Sequence, residues 1–598
     1  MIRLTTPAFF AIFFLIASTA SAQPDPRHIQ SGHEIHTNGY IDMPYLVTLA
    51  DGTWLCTFTT GKLEEGLDGQ HIVATRSSDL GQTWSVPVPI EPAAGPAASW
   101  AMPYLTNYGR VYVFYSYNGD EISELKGEKI RNDILGWYCY KFSDDGGFTW
   151  SERHRLPLRR TACDIANDWQ GEVQIFWGIG KPMTVGQGMM LSFTKLGKYM
   201  LDNGEGWFFQ CENINAERDP SRLNWHLLPD GEHGLRNPDF GSVQEEHSLV
   251  PLSDGSLCCI YRTQTGYLAE AYSRDGGHTW SLPRQARYAD GRPVKTSRAC
   301  PKIWRCSNGK YLLWFHNHSG DHFSTRNPAW LAGGEEVGGE IRWSQPDMFL
   351  YGEDHSYESG RFSYPDLVEQ GGRYWITETN KLKARLHEVP PYLLKGLWGQ
   401  FEDPNRRPPS TVSRPPVMSF SEDTLRKEKL PISGFPKHPE GGFVLMNAMR
   451  DTGGLTIEMT VQPKDFSHGR VLLDTRNDLG SGLYIQTTGY RQLELNLCNT
   501  ETCETWTTDP GLLDVVRPHQ VTFIVDNGPD IVLCVVDGQL CDGGTSRQFG
   551  WRHYSPFLGN VLTNKKKEMK ILPEEMKSLK IYDKAISVSE AVENQKFR

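Results

Sequence analysis

A turn glycine followed at once by an apolar run recurs six times before residue 400: Gly52-Thr-Trp-Leu-Cys-Thr-Phe, Gly109-Arg-Val-Tyr-Val-Phe-Tyr, Gly171-Glu-Val-Gln-Ile-Phe-Trp, Gly255-Ser-Leu-Cys-Cys-Ile-Tyr, Gly309-Lys-Tyr-Leu-Leu-Trp-Phe and Gly372-Arg-Tyr-Trp-Ile-Thr. Each unit reads as a hairpin turn feeding a strand of buried aromatic, aliphatic and β-branched residues. Out of phase with this series runs a second one, Trp84, Trp150, Trp207, Trp280 and Trp343. A β-sandwich needs only one or two such hairpins, whereas six of them predict six four-stranded blades. The expected fold is all-β, a six-bladed β-propeller across residues 23–402.

Three of those tryptophans close one repeated phrase: Ser77-Ser-Asp79-Leu-Gly81-Gln-Thr83-Trp84, Ser143-Asp-Asp145-Gly-Gly147-Phe-Thr149-Trp150 and Ser273-Arg-Asp275-Gly-Gly277-His-Thr279-Trp280. A decayed copy, Asp202-Asn-Gly204-Glu-Gly-Trp207, surrounds a fourth. The pattern S-x-D-x-G-x-T-W has a physical reading as a turn. Asp accepts hydrogen bonds from the turn backbone, Gly supplies a positive φ, Ser or Thr closes the network, and Trp packs between sheets. This is the Asp box. It sits on the blade periphery, so the chemistry has to come from other positions.

Residues 384–401 read as a closing segment with a short helix. Residues 403–417, beginning Asp403-Pro-Asn-Arg-Arg-Pro-Pro, are proline-rich without apolar periodicity and read as a linker. Residues 418–598 alternate again, as in Leu455-Thr-Ile-Glu-Met-Thr-Val and Gln520-Val-Thr-Phe-Ile-Val-Asp. With the ending Leu579-Lys-Ile-Tyr-Asp583-Lys-Ala-Ile-Ser-Val-Ser-Glu590, this stretch resembles laminin-G or concanavalin-like jelly rolls. The resemblance implies a second β-sandwich, either glycan-holding or a structural companion.

The N-terminus carries Arg3, an apolar run from Phe9 to Ile16, and Ala20-Ser-Ala22, which together read as a signal peptide over residues 1–22. The run is too short to span a bilayer. The mature chain is expected to be secreted, whether periplasmic, extracellular or attached to a cell surface. Twelve cysteines permit disulfides in such a compartment. Cys498/Cys503 and Cys534/Cys541 are the local pairs expected, and Cys258-Cys259 is assigned to the core. No Cys/His spacing suggests zinc, and no metal or cofactor is expected. A net charge of −11 with no basic stripe excludes nucleic acid as the partner class. The 18 Trp, 24 Tyr and 26 Phe suit a carbohydrate-facing β protein. Oligomeric state is not set by these features.

Residues facing a propeller axis should precede each turn glycine by roughly eight to ten positions. Those positions hold Asp42-Met43-Pro44, Ala101-Met102-Pro103, Cys163-Asp164, Glu245-Glu246-His247, Ala299-Cys300-Pro301 and Ser363-Tyr364-Pro365. Here the chain resembles the non-viral sialidase (neuraminidase) superfamily, over roughly residues 30 to 400. Glu246-His-Ser-Leu-Val-Pro-Leu-Ser-Asp254-Gly, with Arg262 and the turn at Ser273 following, is similar to one family run. Tyr364-Pro-Asp-Leu-Val-Glu369, continuing to Glu378, is similar to another. Thr325-Arg326-Asn327-Pro328 falls where a family arginine stands. The resemblance implies Tyr364 as nucleophile, Glu246 as its base, and Arg262 and Arg326 as ligands of a substrate carboxylate.

Those residue types fit the task. A sialoside carries a carboxylate on its anomeric carbon, which repels an anionic nucleophile; a phenol stays neutral until a carboxylate takes its proton. Arginine matches a carboxylate with fork geometry. Two departures stand out. Asp42 occupies the place of the family's first-blade arginine, and Glu378 matches the Glu that buttresses that missing arginine. Arg361, Arg298, Lys302 and Arg76 are basic residues near the site by sequence pattern, though no motif places them. For the acid/base, the segment Lys62 to His71 offers Asp68 first, with Glu65 or His71 as alternatives, and Gln70 beside them. His316 and His318 alternate on a strand and could contact sugar hydroxyls, move a proton or bind a metal with Asp321; a substrate-facing loop is expected over a metal site, because no fourth ligand is evident.

Three functions follow. The first is a secreted exo-sialidase, a retaining glycoside hydrolase that removes terminal sialic acid from glycoprotein or mucin-type glycans. The second is a propeller glycosidase or lyase acting on another acidic glycan, favoured by Asp42. The third is a non-catalytic glycan-binding protein, disfavoured by Tyr364 with Glu246.

Overall fold

The computed structural model describes residues 25–62, 64–200, 203–320, 325–353, 360–402, 415–426, 429–431, 453–555, 558 and 568–596. The expected signal peptide, residues 403–414 of the linker, Asp202 of the decayed turn and Asp321 lie outside the described residues. The chain is all-β, with 43% strand and 7% helix.

Among the described residues, six antiparallel sheets of four or five strands follow one another from residue 33 to residue 388, with a short ribbon, Glu124–Leu125 and Glu128–Lys129, beside them. The first runs Tyr40–Thr48, Trp54–Gly61, His71–Ser77, Val88–Pro89, and the second Ala98–Leu105, Val111–Tyr117, Trp137–Ser143, His154–Arg155. The third runs Phe176–Trp177, Gly188–Lys195, Glu205–Cys211, Trp225–Leu228, and the fourth Ser248–Pro251, Leu257–Tyr261, Ala269–Ser273, Arg284–Gln285. The fifth runs Lys302–Arg305, Tyr311–Phe315, Ala329–Val337, Glu340–Trp343. The sixth takes Leu367–Gln370, Arg373–Thr379 and Ala384–Glu388, and its outer strand is His33–His36 from the N-terminal end, with His33 opposite Leu386. The two ends of this segment are thus joined by backbone hydrogen bonds. The helix expected in the closing segment is Pro391–Gly399.

The repeated turn has one geometry in its three copies. Ser77 Oγ donates to Asp79 and accepts from the Gly81 N–H, while both Thr83 N–H and Thr83 Oγ1 donate to Asp79. Residues 143–149 and 273–279 repeat these bonds. Gly81, Gly147 and Gly277 have φ of 79°, 92° and 98°, a region closed to most side chains. Aromatic rings then fill the spaces between sheets. Trp54 meets Trp375 at 5.1 Å, tying the first sheet to the sixth, and Tyr138 contacts Phe176, Phe193 and Phe209 between second and third. Each such buried ring contributes roughly 1.5–3 kcal/mol through surface removed from water.

The third sheet departs from the sequence reading. The run after Gly171 forms its first strand, not its second, and Cys163-Asp164 lies in the short helix Ala162–Ile165 instead of an inner strand. Local capping explains this: the Thr161 N–H and hydroxyl both donate to Asp164, which also binds Lys195 at 2.6 Å in a fully buried pair. Trp207 likewise sits within the strand Glu205–Cys211, the third strand of its sheet.

The C-terminal strands form two further sheets. One holds Met418–Ser421, Met576–Tyr582, Gly454–Val461, His519–Asp526, Ile531–Val536 and Gln539–Leu540, with Arg552–His553 paired to Ile531–Val536. The other holds Lys429–Pro431, Glu568–Ile571, Val471–Asp474, Gly482–Thr488, Gln492–Cys498 and Cys503–Thr507. Ile457, Met459, Ile485, Leu495 and Phe523 lie in one core drawn from both. A disulfide joins Cys498 to Cys503. The second expected pair is not formed: Cys534 and Cys541 are buried free thiols on adjoining strands, with the Cys541 N–H donating to the Cys534 carbonyl. Cys258 and Cys259 are buried on the strand Leu257–Tyr261, as expected.

Candidate active site

The inner strands are kinked where the candidate residues stand. Met43, Trp100, Gln244 and Tyr364 all have positive φ, from 49° to 65°, although none is glycine. Such backbone costs about 1–3 kcal/mol per residue and persists only where surroundings enforce it. Met43 and Tyr364 each precede proline, which excludes the ordinary helical region at the preceding residue. The kink interrupts pairing between Asp42 and Tyr45, and it sets Tyr364 just before the strand Leu367–Gln370.

Tyr364, buried at 4% exposure, donates its hydroxyl to Glu246 Oε1 at 3.0 Å. Glu246 is fully buried; its other oxygen lies 3.0 Å from Arg262, and Trp177 Nε1 donates to Oε1 at 3.3 Å. Arg262 is fixed further by the Val243 carbonyl at 3.0 Å. Arg326 donates to Ser363 Oγ at 2.8 Å, beside Tyr364 in sequence. Burial, and then the carboxylates of Glu246, Glu65 and Asp42, push the Tyr364 phenol well above its ordinary value, while Arg326 acts the other way. The four residues that the sialidase resemblance singles out therefore share one electrostatic environment.

Asp42 joins them, with a partner that no motif indicated. Its Oδ2 lies 2.5 Å from Lys381 Nζ and accepts from the Tyr40 hydroxyl at 2.8 Å. Lys381 Nζ sits 4.1 Å from the centre of the Tyr364 ring and 3.4 Å from Glu65. Glu65 also receives Arg131 at 3.1 Å. Burial works against ionisation of Glu65, but Lys381, Arg131 and Arg361 outweigh it and hold the carboxyl well below the usual range. Burial instead raises Asp42, with Lys381 opposing and Glu65 adding to the rise. Glu378 does not face this group; its partners are Arg385 at 3.1 Å and His387 at 3.5 Å.

The remaining candidates separate. Asp68 is 73% exposed, with Lys129 and Asn132 each 3.4 Å away. His71 contacts the Gly69 carbonyl, and buried Gln70 ties the loop together through the Gly66 N–H and the Glu64 carbonyl. His316 is buried near Arg326; burial first, then that arginine, lower it to about 3, so it is neutral. His318 does not lie on a substrate-facing loop. Its ring stacks on Phe549 at 4.6 Å and contacts Gln548, so a segment between two C-terminal strands covers it. Of the basic residues without a motif, Arg298 donates to Gln244, Lys302 to the Ile179 carbonyl, and Arg76 to the Gly146 carbonyl between sheets. A cavity of ≈ 610 Å³, with Lys181, Lys302 and Asp366 in its wall, is lined by inner strands of several sheets and by none of Tyr364, Glu246, Arg262, Arg326 or Asp42. Among the described residues, no cluster of His, Cys, Asp or Glu is placed to hold a metal ion, and no helix is long and apolar enough to cross a membrane.

No family model matches the chain. Over 193 residues it is 25% identical to the anhydrosialidase of Macrobdella decora, a stretch covering 28% of this chain and 21% of that protein. The chain thus spans about a fifth of the curated relative it matches, and over that stretch it is a divergent homologue of a sialidase. Similar solved structures include the leech intramolecular trans-sialidase complexed with 2,7-anhydro-Neu5Ac, at 14% identity and TM-score 0.44 over 62% of this chain and 71% of that one. The Trypanosoma rangeli sialidase aligns at 12% identity and TM-score 0.42 over 94% of each chain.

Proposed function

We propose that this protein is a secreted, sialidase-like glycoside hydrolase that removes terminal sialic acid from glycans by a retaining mechanism. In this reading the six sheets are the blades of a propeller over residues 23–402, the three repeated turns are its Asp boxes, and residues 418–598 are a laminin-G-like companion. The observation that carries it is the 3.0 Å hydrogen bond from Tyr364 to Glu246, with Arg262 on the same carboxylate and Arg326 beside Tyr364.

The chemistry follows from those contacts. Glu246 takes the phenolic proton as the Tyr364 oxygen bonds to the anomeric carbon and the glycosidic C–O bond breaks. The departing oxygen takes a proton from an acid at the rim. We assign that role to Asp68, which is exposed and accessible, whereas Glu65 is held ionised by the three cations around it. Asp68 then draws a proton from water, which attacks the anomeric carbon and breaks its bond to Tyr364, whose oxygen takes its proton back from Glu246. Arg262 and Arg326 would grip the carboxylate of the sugar.

A second reading is favoured by the Asp42–Lys381 pair, which replaces the family's arginine with an anion: a propeller enzyme for another acidic glycan. The name of the curated relative adds a third product to test, an anhydro sugar. Incubation with a fluorogenic sialoside, a sialylated glycoprotein and a polyuronate separates them. Free sialic acid supports the proposal, an anhydro sugar redirects it to intramolecular transfer, and unsaturated uronate supports the second reading. Release of none of these overturns an enzymatic function.

A further inference from the structure

We propose that Lys381 is a positioning residue for Tyr364: its ammonium, clamped by Asp42 and Glu65 over the phenol ring, stabilises the phenolate form and so supplies, through the nucleophile, the positive charge that the first sheet lacks. The inference rests on Tyr364 acting as the nucleophile.

The placement is enforced from several directions. Lys381 lies in the turn after the strand Arg373–Thr379, with φ 74°, its N–H on Thr379 Oγ1 at 2.9 Å and its carbonyl receiving the Ile41 N–H at 2.9 Å. The backbone is thereby tied to the inner strand that carries Asp42. Its side chain is 5% exposed and reaches two carboxylates, Asp42 at 2.5 Å and Glu65 at 3.4 Å, with the Tyr40 hydroxyl at 3.5 Å. Two anions already occupy the ammonium, so it is poorly placed to serve as an open ligand for a substrate carboxylate. What remains is the ring face, 4.1 Å from Nζ.

A cation over an aromatic face is attracted to it, and the attraction grows when the ring becomes a phenolate. The interaction therefore strengthens from ground state to transition state, which raises kcat in preference to lowering KM. Asp42 and Glu65 themselves oppose the phenolate, yet they hold the ammonium against the ring face. Two carboxylates in contact offset the cost of burying the ammonium and fix its place. The sequence departure at Asp42 and the orphaned role of Glu378 are then two parts of one rearrangement: the carboxylate stands on the first inner strand and the cation in a turn of the sixth sheet, a reversal of the arginine-with-Glu arrangement.

The test compares Lys381→Met, Lys381→Arg and wild type in the full chain on a fluorogenic sialoside, with kcat and KM separated across pH. Tyr364 is faced by Glu246, Glu65, Asp42, Arg326 and Lys381, so Asp42→Asn and Glu65→Gln are run alongside. Lys381→Met is expected to lower kcat about tenfold or more with KM nearly unchanged, to move the limb for Tyr364 activation to higher pH, and to be largely rescued in Lys381→Arg. A rise in KM with kcat intact would instead make Lys381 a substrate ligand and overturn the inference. A second readout does not depend on turnover: 3-fluorotyrosine at position 364, followed by ¹⁹F NMR, should ionise at lower pH with Lys381 than with Met. An unchanged titration overturns the inference even in an active enzyme, whereas a wild type that cleaves no sialoside but shows the shift overturns only the proposed activity.

Discussion

Tyr364 and Glu246 stand 118 residues apart in the chain, before the first strands of the sixth and fourth sheets, and meet at 3.0 Å as a buried donor and acceptor. Neither group is stable there alone. The phenol resists ionisation and the carboxylate needs partners, which Tyr364, Trp177 and Arg262 supply. Tyr364→Phe removes one oxygen from a packed ring and should leave the melting curve close to wild type while lowering kcat by at least on the order of 10²-fold. Glu246→Gln keeps the shape but cannot take the proton, and should lose a comparable factor. A folded Phe variant with unchanged turnover would end the tyrosine assignment.

Arg262 and Arg326 should fail differently. Arg326 donates to Ser363 Oγ, beside Tyr364, so Arg326→Lys should chiefly raise KM; a lost fork contact to a carboxylate is worth about 1.5–3 kcal/mol, roughly ten- to a hundredfold. Arg262 also holds Glu246, so Arg262→Lys should lower kcat as well and displace the pH optimum. Steady-state kinetics of the two variants, side by side, decide this. Matching kcat/KM profiles would mean that Arg262 does not influence the base.

The sheets were legible because each is announced by a turn glycine and an apolar run, and the repeated turn because its bonds are local, within four residues. The third unit misled where local capping by Thr161 and Asp164 made a helix from residues that the period assigned to a strand. Tyr364, Glu246, Arg262 and Arg326 were legible through motif. Lys381 was not: it sits in a turn without a signature, and its partner Asp42 is 339 residues away. Asp42 alone announced only that something had changed. Cys534 and Cys541 show a related limit: their side chains lie in contact, yet both are free thiols, so proximity alone does not announce a disulfide.

The repeated turns make acid stability measurable. Hydrogen bonds from Thr83 and Thr279 hold Asp79 and Asp275 at about 2, and at Asp145 Thr149 outweighs a burial cost to reach about 2, against an ordinary 3.8. A carboxyl depressed on folding stabilises the fold above its unfolded value and loses that contribution as pH falls through the folded one. The contribution of these turns is therefore complete above about pH 4 and fades towards pH 2. Asp79→Asn should lower the melting temperature at pH 6 and converge on wild type near pH 2. A difference that stays constant across that range would show that the charge is not what the turn uses.

The C-terminal strands should unfold together with the six sheets. Tyr288, Met348 and Tyr351 share one buried apolar cluster with Ile524, Ile531, Leu533 and Trp551. Polar contacts lock the same seam. Lys295 donates to the carbonyls of Asp542, Gly544 and Arg547, Arg27 binds Asp526 at 2.6 Å, and Asp347 accepts the N–H groups of Val588 and Ser589 at the start of the last helix, Val588–Lys596. Lys295→Met leaves three carbonyls without their charged donor and should cost about 1.5–3 kcal/mol. Because the apolar cluster spans both parts, that loss should lower a single calorimetric transition instead of splitting it. A chain ending at residue 402 should expose the cluster and associate or aggregate. Were residues 25–402 alone to remain monomeric and melt at the temperature of the full chain, the two parts would be independent and the seam a contact without energetic weight.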